Sequence, residues 1–462
     1  MIHLKRRDFL KGMGAAGLAI GTASKAGAWV TPPDLLPAAA TEDTLVIVFL
    51  RGAMDGLSLL PPSGSNIDRG YYEQFRDRTR IPASGNGAGL ALAGNGDWLL
   101  HPRASELRDL YNSQHLGIVL AAGQMRPQPV IRSHFDAQAN LEFGVGGGSG
   151  GGIGWLTRHL ASAGLPPTVP VPAVSMGSIT AASLLGSSDA ITIGRGADFR
   201  LNSFHWAWDD NDPAGLVGAI DRMGMLWAGS GTALETAGQE TLNSLALMRS
   251  IDFSGYAPSG GANYDLPYNG GFGQQLRDVA CLIKEGVGLR AVTIDLGDWD
   301  THVGQGNPTQ GWDWFGNQVE SLSKGLDAFY TDLASGATNH MERVSVIVLS
   351  EFGRRVLENQ DGGTDHGYGN VMLALGGSVN GRTVYGTFPG LGDGQLYENT
   401  DVGVTTDYRQ VISEALIRRL GNPNIYHVFP GYTGYAPLGI FQGADLPPGN
   451  FDSVFESGFE GA

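Results

Sequence analysis

"RAVTIDLGDWDTH", residues 290–302, changes character at its middle. Val292, Thr293, Ile294 and Leu296 form a short apolar run with β-branched members, the pattern of a strand buried on both faces. Asp298, Asp300 and His302 then fall within five residues. Similar apolar runs recur at "TLVIVFL" (44–50), "LGIVLAA" (116–122), "RVSVIVLS" (343–350) and "VMLALGG" (371–377), with weaker ones at "VPAVSM" (171–176) and "DAITIG" (189–194). Helical patterns lie between them. Phe315, Val319, Leu322, Leu326, Phe329 and Leu333 mark one helix face. Tyr408, Val411, Ile412, Ala415, Leu416 and Leu420 mark another, stopped by Gly421 and Pro423. Further helices are expected at 232–250 and 272–286. Buried strands alternating with helices predict an α/β fold, with a central, mostly parallel sheet and helices on both faces.

With 42% hydrophobic residues the chain can bury a large core, so its 71 glycines point to long loops and close backbone approaches rather than to disorder. The glycine-rich stretches at 144–154, 259–273 and 376–394 are expected to be such connections. None has the strand–loop–helix context of a phosphate-binding loop. Cys281 is the only cysteine, which excludes an intrachain disulfide. No stretch reaches the roughly 18 consecutive apolar residues of a membrane span.

The N-terminus reads as a separate unit. "KRRDFLK" (5–11) precedes the weakly apolar "GMGAAGLAIGTAS", then Lys25 and "AGA" (26–28). Arg6, Arg7, Phe9, Leu10 and Lys11 resemble a twin-arginine export signal with a small-x-small cleavage site. The expected organisation is a signal peptide at 1–28, a proline-rich linker at 29–43, one α/β domain at 44–440 and an acidic aromatic tail at 441–462. The expected partner is the twin-arginine export machinery, and the expected location is periplasmic or secreted. Residues 1–28 hold five of the 30 basic and one of the 46 acidic residues, so the remainder carries 25 against 45, a formal charge of −20. Such a surface repels nucleic acid and anionic lipid.

In a parallel sheet the C-terminal strand ends share one edge, and ligands bind there. Asp55 follows the run at 44–50. Asp298, Asp300 and His302 follow 290–296, while Glu351, Arg354 and Arg355 follow 343–350. The next loop carries Asp365 and His366. Beyond 116–122, "RPQPVIRSHFDAQ" supplies Arg132, Ser133, His134 and Asp136, with Ser133 placed to cap a helix "HFDAQANLEF". Two carboxylates about 4 Å apart repel by roughly 4 kcal/mol at an effective dielectric near 20, so convergence either raises their pKa values or places a cation among them. The expected metal ligands are Asp55, Asp298, His302, Glu351 and His366, with His134 a candidate outside that set. Asp300 is expected to orient ligands, Arg354 and Arg132 to hold an anion, and Ser133 or water to act as nucleophile. Zn, Mn, Fe or Ca suits carboxylates mixed with imidazoles or oxygen ligands alone.

"LVIVFLRGAMDGLSLLPP", "SHFDAQANLEFG", "FGQQLRDVACLI", "VTIDLGDWDTHVGQ" and "VIVLSEFGRRVLENQDGGTDHGYGNVMLALGGSVNG" resemble the DUF1501 family over about 42–440. That family's resemblance to alkaline phosphatases and sulfatases implies a metal-dependent hydrolase fold and a divalent metal. Asp55 corresponds to the first-strand aspartate of that superfamily, Asp298 and His302 to its Asp-x-x-x-His, and His366 to its late histidine. Ser350-Glu351 stands where an Asp-His pair is expected, and Cys281 is not in a Cys-x-Pro-x-Arg motif. The resemblance implies an exported metal-dependent hydrolase of a phosphate or sulfate ester. The alternative is a non-catalytic binding protein of the same fold, for a surface glycan, a polymer or a protein.

Overall fold

The computed structural model describes residues 38, 41–125, 130–145, 152–166, 169–199, 224–227 and 232–448. The expected signal peptide, most of the linker and the tail from residue 449 lie outside the described residues.

Every strong apolar run is a strand. In chain order the strands are β1 (Thr44–Leu50), β2 (Leu90–Leu92), β3 (Asn95–Leu100), β4 (Leu116–Gly123), β5 (Ala173–Met176), β6 (Ala190–Ile193) and β7 (Ala291–Leu296). β8 (Val344–Ser350), β9 (Arg354–Glu358), β10 (Thr364–His366), β11 (Asn370–Gly376), β12 (Thr383–Tyr385) and β13 (Thr406–Asp407) follow. Nine of them form one sheet in the order β12-β4-β11-β8-β1-β7-β5-β6, with β13 beside β4. β11 alone in this sheet runs against its neighbours, β4 and β8. Between β8 and β11 the chain makes only the antiparallel hairpin β9–β10. Without a crossover helix it cannot return to start a parallel strand, so β11 runs back from the edge where β8 ended. The fold is therefore α/β with a large, mixed, mostly parallel sheet, as the apolar runs predict.

The sheet has a core on each face because strand side chains alternate. Val46, Val48 and Leu50 of β1 join Leu107, Leu276, Val279, Leu322, Leu326 and Phe329 on one side. Leu45, Ile47 and Phe49 join Trp155, Leu156, Val411, Ile412, Leu416 and Phe429 on the other. The first face is covered by the helices Ser105–Asn112, Gly270–Lys284 and Trp314–Ala334. The second is covered by Trp155–Ser162, Tyr408–Arg418 and Ile425–Val428. Each fully buried Leu or Phe contributes about 1.5–3 kcal/mol. These two cores hold the central strands in fixed register.

Register positions the functional edge. Leu50 of β1 lies opposite Leu296 of β7 and Ser350 of β8, so three neighbouring strands end level. β11 begins at that edge, where Asn370 pairs with Ala122 near the end of β4. The segments leaving β1, β7, β8 and β4 start side by side.

Candidate metal centre

Immediately after β1, Gly52 adopts φ 114°, and a Cβ there would lie 2.6 Å from the backbone nitrogen of Asp300. Only glycine lets the β1 end approach the segment after β7 this closely. The Gly52 N–H donates to Glu351 Oε1 (2.9 Å), and its carbonyl accepts from Arg354 Nη2 (2.6 Å). Ala53 and Asp298 also hold positive φ, 59° and 67°, so backbone strain collects at this edge.

Three imidazoles converge here, each with its Nδ1 engaged. His134 opens the helix His134–Phe143, and its Nδ1 donates to Glu351 Oε1 at 2.7 Å. His302 Nδ1 donates to Asp365 Oδ1 at 2.9 Å. His366 Nδ1 donates to the Arg132 carbonyl at 2.8 Å. These partners are acceptors, so in each neutral ring the lone pair belongs to Nε2. All three Nε2 atoms face Asp300. His302 Nε2 and His366 Nε2 lie 3.3 and 3.4 Å from its Oδ1, and His134 Nε2 lies 3.5 Å from its Oδ2. His302 Nε2 and His366 Nε2 are 2.8 Å apart. Two facing lone pairs repel at that distance unless one ring takes a proton or a cation sits with both. His134 Nε2 is buried and has no hydrogen-bond partner. One nitrogen each of His134 and His366 and one oxygen of Asp300 lie within 4.8 Å of one another, close enough to share a metal ion.

The charges around the rings are unbalanced. Asp300, Glu351 and Asp365 stand against two guanidiniums: Arg354 meets Asp300 Oδ1 at 2.5 Å, and the charge of Arg355 acts on Asp365. With neutral imidazoles a negative surplus remains, which a cation at the rings would offset. Burial raises the Asp300 pKa, but Arg354 more than offsets it and holds the carboxyl at about 2. Glu351 is also lowered: burial acts upward, while donors from His134, Gln138 and Ser350 prevail. The hydrogen bond to Glu351 raises His134, whereas burial lowers His366. Each carboxylate is thus held ionised where it touches an imidazole.

The structure sorts the sequence candidates into three groups. Asp300, His302 and His366 meet, and His134, which stood outside the expected ligand set, joins them. Glu351 is one bond removed. It is 1% exposed, and its oxygens accept from Gly52, His134, Gln138 and Ser350, so it holds an imidazole rather than facing the centre. Asp55 and Asp298 are not brought into the cluster. Asp55 is 1% exposed and forms an ion pair with fully buried Arg76, at 2.5 and 3.1 Å. It also accepts from Gln305 Nε2 at 2.8 Å. Gln305 Oε1 in turn accepts from Thr301 and Thr364, chain neighbours of Asp300, His302 and Asp365, so Asp55 supports the cluster from behind. Asp298 is exposed, and its carbonyl accepts the Trp314 indole N–H.

The arginines expected to hold an anion are occupied. Arg354 donates to the carbonyls of Gly52, Ala53, Trp299 and Thr364 besides Asp300. Arg132 pairs with Asp401 at 2.5 Å and Glu398 at 2.7 Å. Ser133 is the exposed N-cap expected from its sequence, accepting from the Asp136 N–H at a long 3.5 Å. Ser133→Ala is therefore expected to cost about 0.5–1 kcal/mol, the low end for cap removal, read from the denaturant midpoint.

The signal for His134 was present as a histidine at a helix start after an apolar strand. Its orphaned Nε2 depends on Glu351, 217 residues away, and no local pattern shows that pairing. No curated protein and no solved structure matches the chain. Residues 262–422 match the family described as protein of unknown function (DUF1501), a span holding Asp300, His302, Glu351, Asp365 and His366 but not β1 or His134. That match supports placing the chain in the DUF1501 family.

Proposed function

We propose that the chain is an exported, metal-dependent hydrolase of a phosphate or sulfate ester, with His134, His302, His366 and Asp300 as the metal ligands. The observation that carries this reading is the convergence of three Nε2 lone pairs on one carboxylate, each fixed by an acceptor on its Nδ1. Three imidazoles with one carboxylate suit Zn, Mn or Fe better than Ca, which takes oxygen ligands. A bound divalent ion supplies Lewis acidity toward an ester oxygen. The phosphate or sulfate class comes from the family resemblance and fits the chain's engaged arginines only if the cation itself meets the anion.

The protein's own groups prepare the site. Glu351 keeps the proton on His134 Nδ1, Asp365 keeps it on His302 Nδ1, and the Arg132 carbonyl keeps it on His366 Nδ1. Arg354 orients Asp300 from beneath. Asp300 and His302 are the open side, with side chains 47% and 38% exposed, against 21% for His134 and His366. Substrate therefore enters over Asp300 and His302. Water is the nucleophile in this reading, because Ser133 Oγ serves the helix start.

Elemental analysis of protein purified without chelators tests the proposal, followed by assays on aryl phosphates, phosphodiesters and aryl sulfates. About one equivalent of Zn, Mn or Fe with turnover of one ester class is expected. Less than about 0.2 equivalents, unrestored by added Zn or Mn, defeats it, since such a donor set binds transition metals well. Full metal without turnover favours the non-catalytic binding role. Glu351→Gln is expected to weaken metal binding about 10–100-fold by releasing the His134 ring, measured by competition with a chromogenic chelator.

A further inference from the structure

The rim of the open side is aromatic. Trp312 and Trp314 are 57% and 36% exposed, with ring centroids 6.1 Å apart and planes 19° from parallel. Each indole N–H is already committed: Trp312 Nε1 donates to the Gly304 carbonyl (2.9 Å), and Trp314 Nε1 donates to the Asp298 carbonyl (3.1 Å). Those carbonyls bracket the segment that carries Asp300 and His302. The rings are therefore pinned to the ligand-bearing loop, and what they offer to solvent is apolar ring surface. Val303, next to His302, is 72% exposed, and Phe135, next to His134, is 86% exposed.

We propose that the ester group is carried on a carbohydrate whose pyranose rings pack on Trp312 and Trp314. The assignment of the reacting group rests on the hydrolase reading above; the saccharide recognition does not. An aromatic face is electron-rich, and a pyranose offers it a face of weakly positive C–H groups with hydroxyls around the rim. Asp298, whose carbonyl meets Trp314, and Asp361, whose carbonyl accepts the Gly304 N–H, are exposed carboxylates available to accept from sugar hydroxyls. The other ring system that stacks on tryptophan, a nucleobase, brings a phosphate chain and needs a basic groove. Here the neighbours are acidic and the whole chain has formal charge −16, which selects the saccharide.

The test is binding of the full chain, metal-loaded and metal-depleted, to an array of neutral and sulfated pyranose glycans that includes cellohexaose, chondroitin sulfate and carrageenan. Hits are titrated by indole fluorescence. Binding to at least one glycan in both metal states is expected, weakened about tenfold in Trp312→Ala. Trp312→Phe keeps an aromatic face without the N–H donor and is expected to retain most of the affinity, which a purely structural indole would not permit. Absence of glycan binding, parent-like affinity in both Trp312→Ala and Trp314→Ala, or preference for single-stranded DNA overturns the inference. Loss of metal from the parent preparation overturns the hydrolase reading and leaves the glycan result standing.

Discussion

Alanine at His134, His302 or His366 is expected to lower bound metal from about one equivalent to below about 0.2 and to remove ester hydrolysis. Each change deletes one of the Nε2 atoms facing Asp300 and leaves its acceptor, Glu351, Asp365 or the Arg132 carbonyl, without an imidazole donor. Loss of a partner that only orients a ligand costs about 10–100-fold in affinity, so loss of the ligand itself costs more. His134→Ala is the most discriminating of the three, because the sequence reading placed Glu351 among the ligands and left His134 outside. If the Glu351 carboxylate bound metal directly, His134→Ala would retain most of it and Glu351→Gln would lose it. The measurement is metal content after dialysis, with circular dichroism to check folding. Retention of full metal by all three alanine variants defeats the centre proposed here.

Arg76→Met is expected to destabilise the protein by about 3–5 kcal/mol at neutral pH, the cost of leaving a buried carboxylate without its cation. Arg76 and Asp55 are both fully enclosed, and Arg76 also bonds the carbonyls of Val356 and Arg355. Burial pushes the Asp55 pKa up, but the Arg76 ion pair prevails, so in the parent it is lowered. A lowered folded-state pKa contributes stability above the unfolded-state value, and that stability is lost as pH falls through the folded one. In Arg76→Met burial is opposed only by the hydrogen bonds from Ser58 and Gln305, without the cation, so Asp55 takes up a proton more readily than in the parent and the penalty shrinks as pH falls. Stability curves of parent and variant are therefore expected to converge toward acid, measured by denaturant midpoints across pH. A pH-independent gap would show that the ionised pair is not the source of the loss.

Architecture was written locally. The apolar runs at 44–50, 116–122, 290–296 and 343–350 became β4 and the three central strands, and the four-three spacing of Phe315, Val319, Leu322 and Leu326 became a covering helix. Backbone hydrogen bonding and burial act over a few residues, so periodicity reports them directly. The same holds for Ser133 as the cap of His134–Phe143. The direction of β11 was not legible in this way. "VMLALGG" reads the same for either direction, and only the hairpin connection before it makes it antiparallel.

The functional edge divides along the same line. Sequence alone placed Asp300, His302 and Glu351 just beyond strand ends, because those residues are neighbours of the strands in the chain, and placed Asp365 and His366 in the next loop, which the fold turns into strand β10. Which carboxylate faces a ring, which supports one and which is neutralised elsewhere was decided by tertiary structure. Asp55 met Arg76, 21 residues on, and Glu351 met His134, 217 residues back. Charge pairing in a folded interior acts through space over a few ångströms, and separation along the chain carries no record of it.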